Sequence, residues 1–191
     1  MYMKQFVTSA ALLAGLISGL LAQTDKQKFM TPNQKSPPMQ TSVTINGKEI
    51  WISYHAPSVR GRKIFGGADA LQPDDTIWRA GADQATFLHT DADLDINGLA
   101  IPAGEYTLFV ALDKGKWDLI VNKQTGQWGI KRGGSANLDE SKNVGKTAMT
   151  MSKPSAPVEQ LKIMLASTGG NKGKLQIEWE NVAASVPFTA K

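Results

Sequence analysis

The residues best suited to chemistry lie in two charged, glycine-containing segments. The first is Tyr54-His55-Ala56-Pro57-Ser58-Val59-Arg60-Gly61-Arg62-Lys63-Ile64-Phe65-Gly66-Gly67, and the second is Trp78-Arg79-Ala80-Gly81-Ala82-Asp83-Gln84-Ala85. Guanidinium forks bind carboxylate, sulfate or phosphate through paired N–H donors, and a glycine between two arginines lets a loop wrap an anion. Arg60, Arg62 and Arg79 are therefore candidate ligand-binding residues, and Asp83 is the acid that shares the second segment with Arg79. Trp128, in a later polar stretch, joins them as a candidate stacking surface for a sugar, with Trp51 as a second plate. The competing reading is internal. Arg60 and Arg79 would pair with Asp83, Asp69 or Asp75 and pin the loop, because uncompensated charge beside a core is costly. On either reading Arg60, Arg79 and Asp83 are expected to converge, while Lys63 reads as solvated.

Other chemistries find less support. His55 and His89 are the two histidines, and neither belongs to a His-Glu-x-x-His motif. Paired with Asp83 or Asp91 they would make a metal site on adjacent strands, but strand-borne histidines of this kind read as ordinary cross-strand residues. A Ser-His-Asp triad needs no sequence proximity, yet the Gly-x-Ser-x-Gly elbow is missing. Carboxylate pairs for glycoside hydrolysis could be drawn from Asp83, Glu105 and Glu178, and nothing selects two of them. The segment Asp91-Ala92-Asp93-Leu94-Asp95-Ile96-Asn97-Gly98 mimics a calcium loop, but Ile96 and Pro102 stand where that loop needs Gly and Glu. It reads instead as a strand with Ala92, Leu94 and Ile96 inward, ending in an Asn97-Gly98 turn. The chain has no cysteine, which removes thiolate catalysis, Cys-ligated zinc and iron–sulfur chemistry. No catalytic residue, metal or cofactor is assigned.

Two function classes stay open. One is a non-enzymatic binding module for a small anionic or glycan ligand, or for a cell-envelope partner. The other is a hydrolase-like enzyme using Asp and Glu near the basic loop, which would need a carboxylate or histidine of strongly displaced pKa in a cleft.

The elements that must position these residues follow from composition and pattern. The chain has 191 residues, 41% hydrophobic and 20% charged, enough to bury a full core without staples. Its charge of +4 is too small to argue for nucleic acid. Lys4 followed by the apolar run Phe6 to Ala22 reads as a signal peptide over residues 1–22, cleaved near Ala22-Gln23. This implies a periplasmic or secreted protein with no membrane span after cleavage. Residues 23–40, with Pro32, Pro37 and Pro38, read as a flexible tether, and 41–191 as one domain.

Within that domain the signals are strands and turns. Val43 and Ile45, Asn46-Gly47, then Ile50, Ile52 and Tyr54 read as a type I′ hairpin. Tyr106 to Leu112 is apolar on both faces and predicts a central strand, with Trp117 to Val121 as its hairpin partner across Lys114-Gly115. Gln124 to Asn143 is a long polar loop of the kind that binds something or covers a face. Strand signals return at Lys146 to Ser152 and stop at Pro154 and Pro157, and Gln160 to Ser167 and Lys174 to Val182 predict the last two strands. Trp78, Trp117 and Trp179 sit in apolar runs and read as core. Short strands with Gly and Pro turns predict an all-β, antiparallel β-sandwich, for which a jelly-roll-like threading is one solution.

Three segments in order, Tyr54 to Gly66, Trp78 to Thr86 and Pro102-Ala103-Gly104-Glu105-Tyr106-Thr107-Leu108-Phe109, are followed by Asn122-Lys123 and Gln127-Trp128-Gly129. This combination resembles the bacterial exported family catalogued as domain of unknown function 2911, from Ser36 to Pro187. The resemblance implies export and implies no reaction. One departure concerns the site. Where the family pattern reads Gly-Ala-Asn-Glu-Ala-Thr, this chain has Gly81-Ala82-Asp83-Gln84-Ala85-Thr86, so the carboxylate stands at position 83 instead of 84.

Overall fold

Alternating β-branched and polar residues on either side of Asn46-Gly47 fold into the first hairpin of the computed structural model, which describes residues 36–191. Strands β1 (Pro38–Ile45) and β2 (Lys48–His55) pair antiparallel, with Ile45 opposite Lys48. Asn46 and Gly47 sit at φ 51° and 75°, the positive angles that a two-residue turn needs to match strand twist. β1 takes in Pro38–Gln40, the last residues of the segment read as a tether. Residues 1–22, read as a signal peptide, and residues 23–35 lie outside the described residues.

The chain continues as β3 (Thr76–Trp78), β4 (Ala82–Thr90), β5 (Leu94–Ile96), β6 (Leu99–Ile101), β7 (Gly104–Asp113) and β8 (Lys116–Asn122). It ends as β9 (Asn143–Ala148), β10 (Thr150–Ser152), β11 (Val158–Gly169), β12 (Lys172–Glu180) and β13 (Val182–Ala190). One sheet runs β1-β2-β4-β7-β8-β9, with β3 on the end of β7; the other runs β11-β12-β13-β5-β6, with β10 on β13. Every pairing between these strands is antiparallel, and the two sheets form a β-sandwich. The chain leaves the first sheet for the β5–β6 hairpin, returns for β7 to β9, and then completes the second sheet. That single excursion is the extent of any jelly-roll character.

Two strand expectations change. The strand signals from Lys146 to Ser152 divide between two strands, because buried Met149 carries the chain from β9 in one sheet to β10 in the other. The terminal β13 has no counterpart in the sequence reading. Its turn is Glu180-Asn181, with Glu180 at φ 55°, and its run contains Pro187, which ordinarily argues against an interior strand.

The core lies between the sheets. Ile50, Ile52, Leu88, Leu108 and Val110 from one face meet Leu161, Ile163, Leu175, Ile177 and Val186 from the other. β7 is the central strand expected, buried from Tyr106 to Val110. The opposite face of the first sheet is also buried at Trp51, Phe87, Phe109 and Ile120. The long loop 123–142 attaches to that face, since Thr107 Oγ1 donates to Gln124 O and Ala85 N to Gln127 O. It is a covering loop.

β11 is an edge strand, and four of its outward backbone groups, at Glu159, Leu161, Ile163 and Leu165, are engaged in sequence. Val59 N donates to Glu159 O at 2.7 Å, and Leu161 N donates to Pro57 O at 2.9 Å. Farther along, Ile163 N donates to Tyr54 Oη at 3.0 Å and Leu165 N to Thr41 Oγ1 at 3.1 Å. The first sheet thus closes the edge of the second. Burial raises the Tyr54 phenol pKa, and the Ile163 amide partly offsets that rise. Tyr54→Phe keeps the ring and orphans a buried N–H, so unfolding in urea should show a loss of about 1–3 kcal/mol. A loss below about 0.5 kcal/mol would mean that the hydroxyl does not hold the sheets together.

Candidate functional site

The basic loop, residues 56–75, leaves β2 and follows the edge of β11 before turning. Arg60 and Gly61 take φ 51° and 70° at that turn, and the Arg60 amide donates to Glu159 Oε1 at 2.9 Å. Arg62 folds back, giving Nε to Val59 O at 3.0 Å and Nη2 to Ser58 O at 2.6 Å. The chain then drops inward. Ile64 is fully buried, and the Phe65 ring packs edge-on against Trp117, Trp78 and Trp179 at 4.7, 5.5 and 5.7 Å between centroids. The three tryptophans are core, as expected. Leu71 N and Gln72 N donate back to Lys63 O and Ile64 O, closing the loop on itself. Lys63, expected to be solvated, is exposed and pairs with Asp69 at 2.8 Å. That pairing is the largest cause holding the Asp69 carboxyl below its ordinary range.

The second segment is a tight turn between β3 and β4. Trp78 Nε1 donates to Gly81 O, and Thr86 Oγ1 donates to Ala80 O. Asp83 adopts φ 56°, a conformation that Asp and Asn tolerate better than most residues. Arg79 Nη1 donates to Asp83 O at 2.5 Å and to Trp128 O at 2.8 Å, so it ties this turn to the covering loop. Its guanidinium also lies 5.6 Å from the Trp128 ring centroid. Burial pushes the Arg79 pKa down, and the nearby Asp83 charge opposes that. Gly129 makes the crossing possible, because a β-carbon there would stand 2.8 Å from Arg79 Cβ and 2.9 Å from Ala85 Cβ.

Between the two segments lies a cleft of about 290 Å³ lined by Arg60, Arg62, Arg79 and Asp83, with Gln72 and Trp179 among the other walls. The structure therefore brings together four of the five residues singled out in the sequence. Trp128 flanks the cleft through Arg79 and is 46% exposed. It forms no platform with Trp51, which is buried on the strand face, stacked on His89 at 5.3 Å. The expected Arg–carboxylate pairing also changes. Arg79 and Arg62 are held by backbone carbonyls, and the Arg60 guanidinium makes no hydrogen bond or ion pair with any described residue. Asp83 Oδ2 is buried and has no hydrogen-bond partner among the described residues, nor has Trp179 Nε1. Sequence reasoning took Trp179 only as core. Nothing local marks it as a wall of the cleft.

The remaining candidates lie elsewhere. Among the described residues no three His, Cys, Asp or Glu side chains cluster as a metal site would require. The carboxylates of the calcium-like stretch bond to other groups: Asp91 accepts from Glu49 N, Asp93 from Ala103 N and Asp95 from Gly98 N. His55 is buried on β2, and His89 Nε2 lies 3.1 Å from Asp91 Oδ1. No helix among the described residues is long and apolar enough to cross a membrane.

Two predictions follow from these contacts. Arg79→Ala removes a charged donor from two carbonyls and should cost about 1.5–3 kcal/mol in urea unfolding, whereas Arg60→Ala should stay within about 0.5 kcal/mol of the parent. Equal effects would contradict the division between a structural and an available arginine. The second concerns acid. Asp91 titrates below 3.8, first because of the His89 hydrogen bond, which outweighs desolvation, with help from the Glu49 amide. A depressed carboxyl stabilises the fold above its unfolded pKa, and that contribution is lost as pH falls from 3.8 toward the folded value. Asp91→Asn should therefore be less stable than the parent at neutral pH, with the gap in melting temperature closing below pH 3.8. A gap constant with pH would rule out this linkage.

No curated protein and no solved structure matches the chain. A family model does match, over residues 36–188, and it covers both arms of the cleft, the covering loop and nearly all of both sheets. The chain belongs to the family described as Protein of unknown function (DUF2911).

Proposed function

We propose that this protein is a binding module for a small anionic ligand, which sits in the cleft between the basic loop and the turn before β4. One observation carries the reading. Arg60 lines the cleft with a full set of guanidinium donors that no described residue engages, on a backbone fixed by the Glu159 carboxylate and the β11 edge. Arg62 and Arg79 add positive charge from side chains already held in place, so little conformational entropy is lost when an anion arrives. Three guanidinium groups against the single Asp83 carboxylate leave the walls net positive.

The hydrolase reading has weaker support. Among the described residues the carboxyls displaced from their ordinary range, Asp69, Asp91 and Asp139, are all lowered chiefly by side-chain hydrogen bonds, and none lines the cleft. A general acid needs the opposite displacement. The signal-peptide reading of residues 1–22 places the module in the periplasm or outside the cell, where acidic envelope saccharides and small anions are plausible ligands.

Thermal unfolding at constant ionic strength tests the proposal, using sulfate, phosphate, acetate and glucuronate as probes. An anion present at about ten times its Kd should add about 1.4 kcal/mol, which raises Tm by a few degrees in a domain of this size. Arg60→Ala should fold normally and lose that protection. Protection that survives Arg60→Ala, or its absence with every anion, would reject the cleft as an anion site.

A further inference from the structure

We infer that the ligand of this cleft is a hydroxy acid of the sugar-acid type, whose acid group meets Arg60 and whose adjacent hydroxyl bridges Asp83 and Trp179. The inference rests on the anion-binding reading above and adds the chemical class. Its basis is a pair of unsatisfied groups on residues of one cleft. Asp83 Oδ2 is a buried acceptor without a hydrogen-bond partner among the described residues, and Trp179 Nε1–H is a buried donor in the same condition. Both residues line the cleft, and Trp179 is only 1% exposed. Its neighbour Trp78, stacked on it at 5.9 Å, has its own Nε1–H satisfied by Gly81 O. Its stacked neighbour therefore does not share the missing bond.

Buried polar groups in native folds are hydrogen-bonded, and those that are not call for a specific explanation. A plain anion answers only half of this case. It would accept from Trp179 and would be repelled by Asp83. An ammonium group would donate to Asp83 but offers Trp179 nothing. A hydroxyl does both, since it accepts through a lone pair and donates through its O–H. Joined to an acid group for Arg60, it makes a hydroxy acid, and the cleft of about 290 Å³ has the size of a single small molecule. A site built to bond a hydroxyl also rejects analogues that lack it, because its own groups are then left unpaired.

Isothermal titration of the purified protein with D-glucuronate, acetate and D-glucose, at one pH and ionic strength, reads the inference directly. Glucuronate should bind at least about tenfold more tightly than acetate, the effect of one well-placed hydrogen bond, and neutral glucose should bind more weakly than glucuronate. Trp179→Phe keeps an aromatic ring packed on Trp78 and Phe65 and removes the N–H. Asp83→Gly removes the carboxylate and suits the positive φ of that position. Each variant should reduce the glucuronate-to-acetate ratio toward one, while acetate binding holds or improves. Should Trp179→Phe fold poorly, Asp83→Gly carries the comparison alone. If acetate, sulfate and glucuronate bind equally well in an Arg60-dependent manner, the anion site stands and the hydroxy-acid inference falls. A ratio unchanged in both variants overturns it as well. If nothing binds through Arg60, both readings fall together, and a water molecule is then the simplest group to satisfy Asp83 and Trp179.

Discussion

The outer edge of β11 is the constraint on which the rest of this sandwich depends. An edge strand exposes a row of amides and carbonyls that would otherwise recruit another chain. Here the first sheet supplies the partners in order: the loop backbone at Pro57 and Val59, the Tyr54 hydroxyl, then the Thr41 hydroxyl. Partners so different in kind reach one strand only if β1, β2 and the loop lie across it at a fixed angle. The closed edge thereby fixes the relation of the two sheets, and with it the shape of the core between them.

The same constraint makes the cleft. The loop cannot leave the β11 edge until Val59, so its turn and the two arginines at that turn are delivered to one place. Phe65 then anchors the loop from the other side, inside the cluster of Trp78, Trp117 and Trp179. A loop pinned by backbone bonds at one end and by an aromatic ring at the other holds its arginines without needing ion pairs. That accounts for the absence, among the described residues, of a close Arg–Asp pair where the charge pattern suggested one. Backbone carbonyls satisfy Arg62 and Arg79 with less desolvation of a second charge than a buried ion pair would demand.

The exchange of acid and amide at positions 83 and 84 acquires a physical meaning in this setting. Asp83 sits at φ 56°, which suits either Asp or Asn, so the backbone turn does not depend on which residue is present. The side chain at 83 faces the arginines of the cleft, while 84 is the next residue along β4. A carboxylate at 83 lowers the positive charge of the site and puts a second acceptor oxygen where an asparagine would present an NH2 donor, which changes what can bind without changing the fold.

The sequence by itself determined the elements that depend on near neighbours. Asn46-Gly47, Asn97-Gly98 and Lys114-Gly115 carry their turn geometry in their own backbones, and the apolar run from Tyr106 to Leu112 announces a strand buried on both faces. Those local rules give the all-β class and the identity of the two charged segments. Where the chain is locally silent, the reading failed: the Glu180-Asn181 turn lacks a usual turn dipeptide, and Met149 bears no mark of a crossing between sheets. The state of each arginine belongs wholly to the tertiary structure. Arg60 is positioned by Glu159, 99 residues away, and Arg79 is held by Trp128, 49 residues away. Composition shows that a charge is present; only the packed sheets decide which carbonyl lies within its reach, and which guanidinium is left facing the cleft.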